Sequence, residues 1–251
     1  MLSSTSASPA PWIDRGSIIL LDWDGCVATQ NVPSAGAISF LHRAAGRIAI
    51  LSNNSTHLPQ DIASILADHG VDLPPERILL AGAQTILHLR RSERATLLLA
   101  SLRMRMFARS VGINLVCQRP DQIVLMRDTA FTYDRLEQVV EAIEQGAKLI
   151  VANADRSHPG VGGRLVPETG ALLAAIRECV PYVAPEVIGK PGPILFEQAC
   201  ALLGARPENA VMIGDNPETD GKGAMAVGIR SILIGGQTGL TLGDLAESLV
   251  V

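Results

Sequence analysis

The sequence predicts an α/β protein built on a parallel sheet, with a second α/β unit inserted into it. Three observations carry that expectation. Short aliphatic runs alternate with segments of helical period. Several of those runs end abruptly in polar loops. With 251 residues, 47% of them hydrophobic and 18% charged, the chain can also bury a large core.

In order along the chain, residues 17–22 (SIILLD) read as the first strand. The segment SAGAISFLHRAAG follows as a helix closed by Gly46. RIAILSNNST is a second strand with its loop, and PQDIASILADHG a helix ending on Gly70. The texture changes over residues 83–185. Two strand-like runs, ATLLLAS and INLVCQ, flank an Arg-rich helix. DQIVLMR, the helix YDRLEQVVEAIEQG, the strand KLIVANAD and a helix near GALLAAIREC complete this inserted unit. Late in the chain, NAVMIGDNPETD again runs a strand into an acidic loop, and GIRSILIGG gives a further strand. The expected division is a flexible tail over 1–15, a core from 16–82 and 186–251, and the insert over 83–185.

Composition narrows the function. A net charge of -4 argues against nucleic-acid binding. No apolar run reaches the roughly 18 residues that span a bilayer, and the opening MLSSTSASPAPW lacks the pattern of a signal peptide. Cys26, Cys117, Cys179 and Cys200 lie far apart without zinc-ligand spacing, so buried, reduced thiols in a cytoplasmic protein are expected. Arg90, Arg91, Arg94, Arg103, Arg105 and Arg109 read as a solvated helix face. A homodimer is allowed but not specified.

Ligands of open α/β sheets bind beyond the carboxyl ends of the strands. Four such ends are unusual here. In SIILLDWDGCVA, Asp22 and Asp24 sit two apart, on one side of the strand. Alone, that pair reads equally well as a solvated turn. The second strand ends in Ser52-Asn53-Asn54-Ser55-Thr56, VIGKPGP offers Lys190, and GDNPETD offers Asp215 and Asp220. Converged carboxylates need a cation, and oxygen-only ligands favour a hard ion such as Mg2+. Lysine, hydroxyl and amide donors suit phosphoryl oxygens. The set therefore reads as metal-assisted phosphoryl chemistry. Other phosphate motifs fail. Ala184 and Pro191 break a P-loop around GKP, Pro217 breaks a calcium loop, and no GxGxxG follows the first strand.

DWDG (22–25), SNNS (52–55), GKP (189–191) and GDNPETD (214–220), in that order, resemble the haloacid dehalogenase (HAD) superfamily of phosphatases. FTYDRL and VANAD in the insert resemble the class IIA, NagD-like branch. The resemblance implies a HAD-like Rossmannoid three-layer core with an α/β cap. It also implies a magnesium-dependent phosphatase of small-molecule phosphate monoesters (sugar phosphate, phosphoglycolate, nucleotide or pyridoxal phosphate). Asp22 would be the nucleophile and Asp24 the general acid/base. Ser52, Asn53 and Lys190 would bind the phosphoryl group. Asp22, the Asp24 carbonyl and Asp215 would hold magnesium, with Asp220 orienting a bound water. Asn54 joins the substrate-binding set, as do Asn153 and Asp155 of the cap. His158 is added from its place in the polar segment NADRSHPG, expected to be a loop facing the cleft. ANAD and LMRDTAFTY depart from the branch's usual cap segments. The competing class is a phosphate-binding regulatory protein of the same fold with little turnover.

Overall fold

The computed structural model describes residues 13–249 apart from 15, 45, 161, 163 and 237, so most of the expected tail lies outside the described residues. From the N-terminal side come β1 (Ile18–Leu21), a small hairpin of β2 (Ala28–Thr29) and β3 (Val32–Pro33), α1 (Ala35–Arg43), β4 (Ile48–Ser52) and α2 (Pro59–Asp68). β5 (Ile78–Leu80) leads directly into α3 (Ala81–Leu89). Next are β6 (Thr96–Leu99), α4 (Leu102–Ser110), β7 (Gln122–Leu125), α5 (Tyr133–Glu144) and β8 (Lys148–Val151). β9 (Ser157–Pro159), β10 (Leu165–Pro167), α6 (Thr169–Cys179) and β11 (Glu186–Val187) follow. The chain ends through α7 (Ile194–Leu202), β12 (Ala210–Gly214), α8 (Lys222–Ala226), β13 (Arg230–Leu233) and α9 (Leu242–Ser248).

Two parallel sheets result. The first has the order β13-β12-β1-β4-β5 and the second β11-β8-β7-β6. Alternation along β1 explains why its run is apolar without a break. Ile19 and Leu21 pack with Phe40, Leu41, Ile62 and Leu245 from α1, α2 and α9. Ile18 and Leu20 pack with Leu195, Phe196 and Ala199 of α7 on the opposite face. A strand covered on both faces needs apolar residues at every position. The second sheet repeats the arrangement, with Leu97, Ile123 and Leu149 towards α5 and α6, and Leu98, Val124 and Ile150 towards α3 and α4.

α3 joins the two sheets. Its Ala81 and Ala83 belong to the two faces of the first sheet, while Ile86 and Leu89 belong to the second. β11 pairs with β8, so the polypeptide leaves the second sheet at Glu186–Val187 immediately before GKP. Three local expectations change. INLVCQ makes one isolated bridge, Thr96 to Leu115, and no strand of its own. NADRSHPG is not an open loop, because Ser157–Pro159 pair antiparallel with Leu165–Pro167. Of the arginine face, Arg103 reaches Asp61 on α2 and Arg105 lies 3.1 Å from Asp128, so part of it is tied to acids.

Candidate active site

Parallel register gathers the expected residues. Leu21 pairs with Ile213 and with Ile50, which brings the ends of β1, β12 and β4 to one edge. The Asp22 N–H donates to the Ile213 carbonyl at 2.9 Å, fixing the first carboxylate beside β12. The intervening Trp23 turns inward, fully buried, and its Nε1–H donates to Asn31 Oδ1 at 2.9 Å. Asp22 and Asp24 thereby face the cleft together. Gly25 has φ +89°, and a Cβ there would collide with the Asp215 carboxylate. A Cβ on Gly214 would likewise collide with the carboxylate of Asp220. Both glycines are required for the close approach of these loops.

Lys190 organises the centre. Its Nζ donates to Asp22 Oδ1 and to Asp220 Oδ1, each at 2.6 Å, and all three side chains are buried. Asp220 sits in a π-helical turn, Pro217–Gly221, and its other oxygen accepts the Asn216 N–H at 3.1 Å. Asp22, Asp215 and Asp220 each offer an oxygen within 4.8 Å of the others. Burial pushes the Asp22 carboxyl up, against the pull of Lys190, and Asp220 and Asp215 push it further. Burial would lower Lys190, but Asp22 and Asp220 outweigh it and hold the ammonium protonated. Four carboxylates (Asp24 included) against one ammonium leave excess negative charge. The all-oxygen donor set fits a hard divalent ion that would offset it.

The second strand end supplies Ser52, whose Oγ donates to Asp24 Oδ2 at 3.3 Å and accepts the Asn54 N–H at 3.0 Å. Asn53 grips the Lys190 backbone at two points. Its Oδ1 accepts the Lys190 N–H at 2.8 Å, and its Nδ2 donates to the Lys190 carbonyl at 3.0 Å. The same Nδ2 donates to Asp155 Oδ1 at 3.2 Å. With both amide hydrogens used, the backbone N–H is the Asn53 donor left for a phosphoryl oxygen. Asn54 closes its own turn, as its Oδ1 accepts the N–H groups of Thr56 (3.0 Å) and His57 (2.9 Å). Its carboxamide oxygen therefore shapes the loop, while the residue itself lines the cleft.

The cap residues divide. Asn153 is 1% exposed and does not line the cleft, which corrects its expected place in the substrate-binding set. Its Nδ2 donates to the Asn53 carbonyl at 2.8 Å and its Oδ1 accepts the Asp155 N–H at 3.2 Å. Asp155 does line the cleft, and burial raises its carboxyl. His158 lines it too, from β9, with Nδ1 2.7 Å from Glu168 Oε1. The cleft, of about 800 Å3, extends past these groups to Arg127, Arg156 and Arg164. Sequence reasoning missed Arg127, Glu168 and the core-side pair Asn31 and His57, which approach to 3.3 Å. Only Arg127 carried a signal, because it falls inside the departing segment LMRDTAFTY. Cys26 and Cys200 are buried as expected, whereas Cys117 and Cys179 are exposed.

Residues 19–114 match a family of haloacid dehalogenase-like hydrolases, and residues 187–247 match a HAD-hydrolase-like family. A dihydroxyacetone phosphatase from Corynebacterium glutamicum is 29% identical over 220 residues, 86% of this chain and 79% of the relative. The solved structure of NagD from Escherichia coli K-12 is 26% identical and covers 89% of this chain and 90% of its own, with a TM-score of 0.78. A glycerol phosphate phosphatase from Mycobacterium tuberculosis, solved in complex with calcium, is 27% identical with a TM-score of 0.76. That match covers 86% of this chain and 65% of the mycobacterial one. The fold and strand-end motifs thus define a phosphoric monoester hydrolase, and the chain belongs to the haloacid dehalogenase superfamily. Within it the chain is NagD-like, of class IIA.

Proposed function

We propose that the protein is a magnesium-dependent phosphatase of small-molecule phosphate monoesters that works through an aspartyl-phosphate on Asp22. The observation that carries this reading is the buried Asp22–Lys190–Asp220 cluster, with Nζ 2.6 Å from each carboxylate, beside Asp215. Lys190 favours the ionised form of a carboxylate that burial would otherwise protonate, which is the form a nucleophile needs. The Asp22 carboxylate attacks phosphorus while the bond to the leaving oxygen breaks, and Asp24 donates a proton to that oxygen. Asp24, exposed at the cleft, then takes a proton from water as it attacks the acyl phosphate. Inorganic phosphate leaves and Asp22 is restored.

Ser52 Oγ, the Asn53 N–H and Lys190 are the donors for the phosphoryl oxygens. Magnesium would be held by Asp22, the Asp24 carbonyl and Asp215, with Asp220 behind them. When bound it would supply the charge that lets an anionic nucleophile meet an anionic ester. The calcium of the mycobacterial phosphatase supports an oxygen-ligand site. We read the segments 16–82 and 186–251 as the catalytic core and 83–185 as the cap. The names of the relatives support a sugar phosphate, polyol phosphate or nucleotide substrate. Four free cysteines support the cytoplasm. No helix among the described residues is long and apolar enough to cross a membrane. A second copy of the chain is left open as a partner.

The test is phosphate release from p-nitrophenyl phosphate. Exhaustive chelation should abolish it and magnesium should restore it, with zinc less effective on an all-oxygen site. Turnover unaffected by chelation would defeat the metal assignment. Tight phosphate binding without any turnover would instead favour a regulatory protein of this fold.

A further inference from the structure

Beyond the groups that address phosphorus, the cleft has a second wall formed by the cap, and its charge has the opposite sign. Arg127, Arg156 and Arg164 line it against only two carboxylates, Asp155 and Glu168. Both carboxylates are engaged. Asp155 accepts from Asn53 at 3.2 Å. Glu168 Oε1 lies 2.7 Å from His158 Nδ1 and 3.4 Å from Arg127 Nε. Burial raises the Glu168 carboxyl, and Arg127 and His158 pull it back down.

This arrangement aims donors at the cleft. Arg127 Nε lies near Glu168 without a hydrogen bond, the terminal nitrogens of Arg127 have no partner among the described residues, and His158 keeps Nε2 available. The Arg127 N–H donates to Ser55 Oγ at 3.2 Å, which ties this segment to the loop after β4. The side chains of Arg156 and Arg164 form no ion pair among the described residues, and both are exposed to the same cleft. A neutral polyol would need hydroxyl-sized donors and acceptors. Three arginines lining the same cleft instead suit the planar, doubly accepting geometry of a carboxylate or a phosphate. A cleft of about 800 Å3 has room for both ends of such a molecule.

We infer that the cap wall is a second anion site, so that the preferred substrate is a phosphate monoester whose leaving group carries another anionic group. The inference rests on the phosphatase reading and deepens it by naming the substrate class. Arg156 and Arg164 supply the charge that distinguishes one leaving group from another.

Matched substrates test it. 3-Phosphoglycerate and glycerol 3-phosphate differ by a carboxylate in place of a hydroxymethyl group. Fructose 1,6-bisphosphate and fructose 6-phosphate differ by a second phosphate. In the magnesium-loaded enzyme, kcat/KM should favour the doubly anionic member of at least one pair by roughly tenfold or more, and the pair that responds identifies carboxylate or phosphate. Arg156→Gln combined with Arg164→Gln should lower that ratio by roughly tenfold. A ratio at or below one in both pairs overturns the site, as does a ratio that the double substitution leaves unmoved. Calorimetric binding of the same four compounds to Asp22→Asn protein reads the preference without turnover. If the enzyme hydrolysed nothing, the phosphatase reading would fail while the anion site was still decided by binding.

Discussion

The two walls of the cleft solve different problems with the same kinds of side chain. On the core wall, Asp22, Lys190 and Asp220 are at most 5% exposed and locked to one another at 2.6 Å. On the cap wall, Arg156 and Arg164 are exposed and Glu168 is only partly buried. A buried ion cluster is rigid because every charge lost from it leaves another unpaired. That rigidity suits a group that never varies, the phosphoryl and metal proposed to bind there. An exposed set of guanidiniums tolerates substitution at little cost in stability, which suits the part of a substrate that differs between enzymes. Between the walls lies Asn53, which holds the Lys190 backbone with both ends of its side chain and Asp155 with its amide nitrogen.

The largest expected effect tests the core wall. Asp22→Asn keeps the shape of the side chain but removes the proposed nucleophile, and turnover of p-nitrophenyl phosphate should fall by roughly a thousandfold or more with the fold intact by circular dichroism. Appreciable activity in that variant would exclude a covalent intermediate on Asp22.

Next comes Lys190→Ala. Removing the ammonium strands two buried carboxylates, so the variant should lose about 3–5 kcal/mol of stability in urea denaturation without metal, in addition to its activity. Part of that stability should return with magnesium, since a cation bound to the native state alone compensates the same charge. A stability equal to that of the unmodified protein would mean the cluster is better solvated than its burial indicates.

The smallest effect separates the two walls. Asn153 was expected to touch substrate, yet its side chain lies beneath Asn53 and outside the cleft. Asn153→Ala should therefore reduce kcat on every phosphoester by a similar factor, roughly ten- to hundredfold for a lost buried hydrogen-bond pair, and leave substrate ranking unchanged. A changed ranking would return Asn153 to the cap's selective surface.

The core wall was legible in the sequence because its groups, Lys190 in its Gly/Pro loop excepted, lie in the loops that follow recognisable strands. Asp22 follows an unbroken aliphatic run, Ser52 and Asn53 follow another, and Asp215 and Asp220 a third. Parallel register among those strands then forces their ends together. The cap wall was not legible in this way. Glu168 stands next to an ordinary helix start, and nothing nearby in sequence marks Arg127, 41 positions earlier, as its partner. His158 was singled out as a loop residue, but it points into the cleft because Ser157–Pro159 pair with Leu165–Pro167.

By itself, then, the sequence determined the parallel α/β fold and which polar residues stand at its strand ends. Aliphatic runs and turn residues report local conformation, and strand ends in a parallel sheet share an edge whatever the loops do. Only the tertiary structure decided which side chains were already spent. Asn54 caps its own turn, Asn53 clamps Lys190, Asn153 supports Asn53, and Glu168 lies against Arg127 and His158. A hydrogen-bond donor or a carboxylate has a fixed capacity, and what consumes it is set by neighbours that the fold brings from 100 residues away, as it does for Asn53 and Asn153.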